Sequence, residues 1–85
     1  MEGTKSVWMV DVDWAQGGET GHDSWLFFNE EDARQKFEKE IQSAEIDYDR
    51  EDYIRERNEY YYEVYEEGEW PITHCAVSLM QKAIL

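Results

Sequence analysis

Ser24-Trp25-Leu26-Phe27-Phe28-Asn29-Glu30-Glu31-Asp32-Ala33 is the stretch where the apolar pattern changes period. Its first five residues form a short apolar run of strand length. Asn29 then opens a different rhythm. Asn is a favoured helix N-cap, and Glu30, Glu31 and Asp32 suit the positive end of a helix dipole. Ala33, Phe37, Ile41 and Ala44 follow at spacings of four, four and three, a single narrow stripe on a helix over 30–44. A helix with one such stripe needs a partner layer, and the residues on either side supply strands.

Upstream, Ser6-Val7-Trp8-Met9-Val10-Asp11-Val12-Asp13-Trp14 alternates with period two. Trp8, Val10, Val12 and Trp14 share one face; Val7, Met9, Asp11 and Asp13 share the other. Residues 15–23 contain three glycines and read as a long hairpin tip. The run 24–28 is apolar on both faces, which predicts the most buried strand. Downstream, 59–67 alternates again, with Tyr60, Tyr62 and Val64 inward and Glu59, Tyr61, Glu63, Tyr65 and Glu67 outward. A turn at 68–71 leads to a last strand over 72–83, with Cys75, Val77 and Leu79 inward. Residues 45–58 are helix-compatible. One helix over 30–58 would run about 43 Å, too long for strands of five to nine residues, so a break near 45–49 and a short second helix around 49–57 are expected. The expectation is a single α+β domain over 1–85: an antiparallel sheet of about four strands in ββαββ order, with the main helix on one face. The other face is left open, displaying Tyr61, Tyr65 and acids.

The chain has 85 residues, with 21 acidic and 8 basic side chains and a formal charge of −13. A small domain needs a net charge of only about 2–8 for solubility. Four Trp, six Tyr and three Phe exclude a disordered acidic tail. No apolar run reaches the roughly 18 residues of a membrane span. No apolar segment follows the polar N-terminus, so no signal peptide is expected. With the single Cys75, this predicts a reducing, cytoplasmic setting.

Catalytic and metal motifs are weak. Asp11, Asp13, His22 and Asp23 fall near one hairpin mouth, yet they lack the calcium-loop pattern and read more simply as solvated strand-end acids. His74-Cys75 with one distant His falls short of a zinc ligand set. Gly17-Gly18-Glu19-Thr20-Gly21 lacks the Lys-Ser/Thr ending of a phosphate loop. No serine sits in a nucleophile elbow, and Cys75 beside His74 is no triad. The expectation is no catalytic residue, no metal and no cofactor.

Charge distribution is the informative feature. Residues 45–69 hold eleven acids against three Arg, net −8. Such a density opposes the compact state, and direct nucleic-acid binding is disfavoured because phosphates would be repelled. Carboxylates on a rigid fold instead imitate spaced phosphates. The expected partner is a protein with a positively charged groove, such as a nucleic-acid-binding nuclease. The expected contacts are Asp49, Glu51, Asp52, Tyr53, Glu56, Glu59, Tyr61, Glu63 and Tyr65, the tyrosines acting as hot-spot anchors among the acids. In size, charge and absence of enzyme motifs the chain resembles the small acidic inhibitors, anti-CRISPR proteins among them, that phages use against host defence nucleases. That is a likeness of class, carried by no particular stretch. The alternative is a non-catalytic accessory subunit or a homodimer, pairing through a sheet edge or the aromatic face.

Overall fold

A computed structural model describes residues 5–68 and 73–84. The strands are β1 (Lys5–Gln16), β2 (Glu19–Phe27), β3 (Ile54–Arg57), β4 (Tyr61–Tyr65) and β5 (His74–Ile84), with one helix, α1 (Glu30–Asp47), between β2 and β3. They form one antiparallel five-stranded sheet in the order β2-β1-β5-β4-β3. The fold is α+β, with the helix on one sheet face.

The helix starts where its sequence says it should. The Asn29 side chain accepts a 2.8 Å hydrogen bond from the Asp32 backbone N–H, while its amide donates to the Asp32 carboxylate at 3.1 Å. Ala33, Phe37, Ile41 and Ala44 are the buried residues of α1. They pack on Val10 and Val12 of β1, Tyr62 and Val64 of β4, and Cys75, Val77 and Leu79 of β5. The even-numbered face of β1 is thus the core face, as alternation predicts.

Four details differ from the sequence reading. The glycine-rich segment is no long loop. Gly17 and Gly18 occupy a two-residue turn with φ of 61° and 88°, and pairing runs down to Gln16 opposite Glu19. Positive φ at both central residues marks a type I′ turn, whose twist matches the flanking strands. The run 24–28 lies in an edge strand and its end, with Leu26 66% and Phe28 90% exposed. An apolar run without alternation signals burial on two faces, but strand order overrides it here. The second helix around 49–57 is replaced by a turn and β3, which adds a fifth strand. Arg55, Glu56 and Arg57 carry little strand signal, and pairing with β4 decides the conformation instead. Tyr60 is 46% exposed, just outside β4, so it is not a core residue. The expected turn at 68–71 lies mostly outside the described residues.

An acidic and aromatic face opposite the helix

The odd-numbered face of β1 carries no helix. Strand register sorts its side chains into rows running across the sheet. Leu26, Met9 and Met80 form an apolar row. Ser24, Asp11, Ser78 and Tyr61 form the next. His22, Asp13, Ala76, Glu63 and Glu56 cross all five strands, and Thr20, Ala15, His74, Tyr65 and Ile54 follow. With strands about 4.8 Å apart and successive rows about 7 Å apart, four rows cover an area of roughly 20 × 20 Å.

Four of the expected contact residues meet on this face. Glu56 stands directly opposite Glu63, a like-charge pair that disfavours strand pairing. The Tyr65 hydroxyl donates to the Glu56 carboxylate at 3.2 Å, which relieves part of that cost. Burial raises the pKa of the Tyr61 hydroxyl, with Glu63, Glu56 and Asp13 adding to the rise. Tyr65 is raised by desolvation first, then by Glu56, Glu63 and Glu67. Both phenols therefore remain neutral donors beside the carboxylates at ordinary pH.

The remaining expected contacts lie elsewhere. Asp49, Glu51, Asp52 and Tyr53 sit in the connection from α1 to β3. There Arg50 binds Asp52 through Nε at 3.1 Å and Nη2 at 3.0 Å. Tyr53 rests against Tyr48, with ring centroids 6.4 Å apart. Glu59 occupies the β3–β4 turn, and its backbone carbonyl accepts from Arg34 at 2.8 Å. These residues flank the β3 edge and do not join the rows.

Asp11 and Asp13 do join them. Sequence reasoning placed both on one face of β1 but did not connect them to Tyr61 and Glu63. That connection requires β5 to lie between β1 and β4, which no local pattern encodes. His22 lies 3.3 Å from Asp11 and 3.9 Å from Asp13, whereas Asp23 points to the helix side by alternation. Among the described residues no group of three or more His, Cys, Asp or Glu is placed to hold a metal ion.

Every arginine is engaged on the helix side or in the connections. Arg34 binds Glu30 and the Glu59 carbonyl. Arg50 binds Asp52, and Arg55 donates to the Tyr48 carbonyl at 2.6 Å. Arg57 pairs with Glu38 across to α1. Lys36 pairs with Glu40 at 2.9 Å and lies 4.1 Å over the Trp25 ring. The arginines thus tie the helix and the β3 edge together, and Asp11, Asp13, Glu56 and Glu63 on the open face meet none of them. Lys82 on β5 pairs with Val7, three rows beyond the Asp13 row. Among the described residues no helix is long and apolar enough to cross a membrane. The chain matches no family model, no curated protein and no solved structure, and its functional reading rests on its own residues.

Proposed function

We propose that this protein is a non-catalytic, acidic protein-binding inhibitor or decoy that occupies a basic, nucleic-acid-binding surface of a partner protein. The observation that carries the reading is charge segregation. Asp11, Asp13, Glu56 and Glu63 share one helix-free face with Tyr61 and Tyr65, while the arginines are consumed elsewhere. Fixed strand spacing presents those carboxylates on a rigid grid, and the neutral phenols add desolvatable anchors among them. A face of roughly 400 Å² is about half of one side of a standard interface. Asp49, Glu51, Asp52 and Glu59, along the β3 flank, extend it. The phage inhibitors that the chain resembles in class name the partner to try first, a nuclease with a nucleic-acid groove.

The test is competition. Binding should weaken steeply between low and high salt, because the Debye length falls from roughly 10 Å at 0.1 M to about 3 Å at 1 M. DNA or RNA should displace the protein from its partner. Charge reversal at Glu56 and Glu63 should weaken binding more than reversal at Glu51 and Asp52. A partner that ignores salt, nucleic acid and the reversals sinks the decoy reading. One observation favours a second reading, an accessory subunit or homodimer. The β2 edge is nine residues long, free of Lys, Arg and Pro, and ends beside the exposed Leu26 and Phe28. Sedimentation showing a dimer that Leu26→Lys dissolves would support it.

A further inference from the structure

A cavity of about 260 Å³ opens on the helix side, between the C-terminal half of α1 and the β1–β2 hairpin. Its floor is Val12, Ala44 and Cys75, all buried. Trp14 and Tyr48 form its walls, and Asp23, Glu40 and Asp47 stand around it. We propose that this cavity binds an organic cation, an alkylammonium or guanidinium group on an apolar stem.

Several independent features converge on that chemistry. The Trp14 wall is built into the hairpin. Trp14 pairs with Gly21 across β1 and β2, and a Cβ added at Gly21 would lie 2.3 Å from Cε2 of the indole. Any larger residue there would push the ring from its place. Tyr48 is only 6% exposed, and none of the hydrogen bonds among the described residues engages its hydroxyl. Tyr48 lines the cavity beside Cys75 and Asp47, and burial, then those two groups, raises its pKa and keeps the phenol neutral. Cys75 is pushed up to about 11, by burial first and then by Asp47, Glu40 and Asp13. Glu40 already pairs with Lys36 at 2.9 Å. Asp23 and Asp47 have no basic partner within ion-pair distance among the described residues. The last turn of α1 carries no base of its own; Arg55 reaches the Tyr48 carbonyl from the β3 side.

The alternatives fit less well. An anion would meet three carboxylates and the negative end of a helix. A divalent metal needs several converging oxygen or nitrogen ligands, and no such group occurs among the described residues. A neutral apolar ligand would gain nothing from the exposed carboxylates of Asp23 and Asp47 at the rim. A cation over Trp and Tyr faces gains cation–π attraction, strongest with Trp. The volume is smaller than the 300–1,000 Å³ typical of drug-sized pockets, so the ligand is the size of one side chain or a short diamine. This inference does not rest on the decoy reading, because the cavity lies on the opposite side of the sheet from the acidic rows.

Titration of the isotope-labelled full chain, followed by NMR at fixed ionic strength, tests it. The probes are N-acetyl-lysine amide, N-acetyl-arginine amide, putrescine and the uncharged N-acetyl-norleucine amide. The cations should give saturable shifts of the Trp14 indole N–H and the Tyr48 amide, with dissociation constants in the millimolar range expected of one small group. Tighter binding of the amino-acid amides assigns the site to a protein side chain; tighter binding of putrescine assigns it to a free diamine. The Asp23→Asn, Asp47→Asn double variant should weaken binding by at least about fivefold while keeping its circular dichroism. Gly21→Ala should weaken it through the displaced indole. Equal shifts from the norleucine probe, shifts spread over the open-face acids, or unchanged binding in the double variant would overturn the proposal.

Discussion

Phe37 is fully buried at the centre of the helix stripe, and its ring contacts the sheet core. Phe37→Ala should cost about 3–5 kcal/mol, a large share of the roughly 5–15 kcal/mol that holds a domain together. A chemical melt within 1 kcal/mol of wild type would mean the helix packs otherwise. Tyr62 presents the opposite case. Its hydroxyl is buried with no partner in hydrogen-bond geometry among the described residues; burial raises its pKa, and the nearby Arg55 guanidinium opposes the rise. Removing an unsatisfied buried group leaves nothing unpaired, so Tyr62→Phe should be neutral or stabilising by up to about 1 kcal/mol. A clear loss of stability would show that the hydroxyl is engaged. Cys75 sets a third expectation. Its pKa rises from 9.0 to about 11, chiefly through burial. Between those values the folded chain keeps a proton that the unfolded chain has lost. The contribution is fully present below about pH 9 and is lost as pH rises through the folded value. Urea melts between pH 8 and 11 should therefore show declining stability, with a shallower decline in Cys75→Ala. The buried thiol should also resist disulfide reagents until the chain unfolds.

At the scale of elements, Asn29 makes both halves of a side-chain cap on α1. Asn29→Ala should cost about 1 kcal/mol and Asn29→Asp almost nothing, measured by thermal melts. Equal effects would separate the helix start from its cap. Those residues show why α1 was legible in the sequence: cap, acidic first turn and apolar stripe all agree. β1, β4 and β5 were legible too, since Val10, Val12, Tyr62, Val64 and Val77 alternate and all proved buried. β3 was not. Arg55, Glu56 and Arg57 have neither apolar alternation nor strand propensity, and the strand exists because β4 offers an edge and because Arg55 and Arg57 reach back to Tyr48 and Glu38. The hairpin tip is shorter than its sequence suggests, because glycines at 17, 18 and 21 look alike there. Only the first two make the turn, while Gly21 makes room for Trp14. Only part of the acidic, aromatic open face was legible, for a related reason. Tyr61, Glu63 and Tyr65 follow from local alternation, but Glu56 joins them only because β3 pairs with β4, and Asp11 and Asp13 only through the non-local order β1-β5-β4.

At the scale of the whole molecule, a net charge of −13 on 85 residues opposes compaction, while the same charges would speed encounter with a basic surface. Salt should therefore move two quantities in opposite directions. The thermal midpoint should rise as self-repulsion is screened, and partner binding should weaken. The most direct measurement is interferometry on the immobilised protein against a nucleic-acid-binding nuclease that it captures, at about 0.05 and 1 M salt with and without competing DNA. It is repeated with Asp11→Asn, Asp13→Asn, Glu56→Gln and Glu63→Gln combined. The expected result is binding that DNA displaces, that high salt slows mainly in association, and that the fourfold variant loses while a control neutralised at Glu31 and Glu38 on α1 retains it. Equal binding by the fourfold variant, unaffected by salt and by DNA, would contradict the assignment of this face.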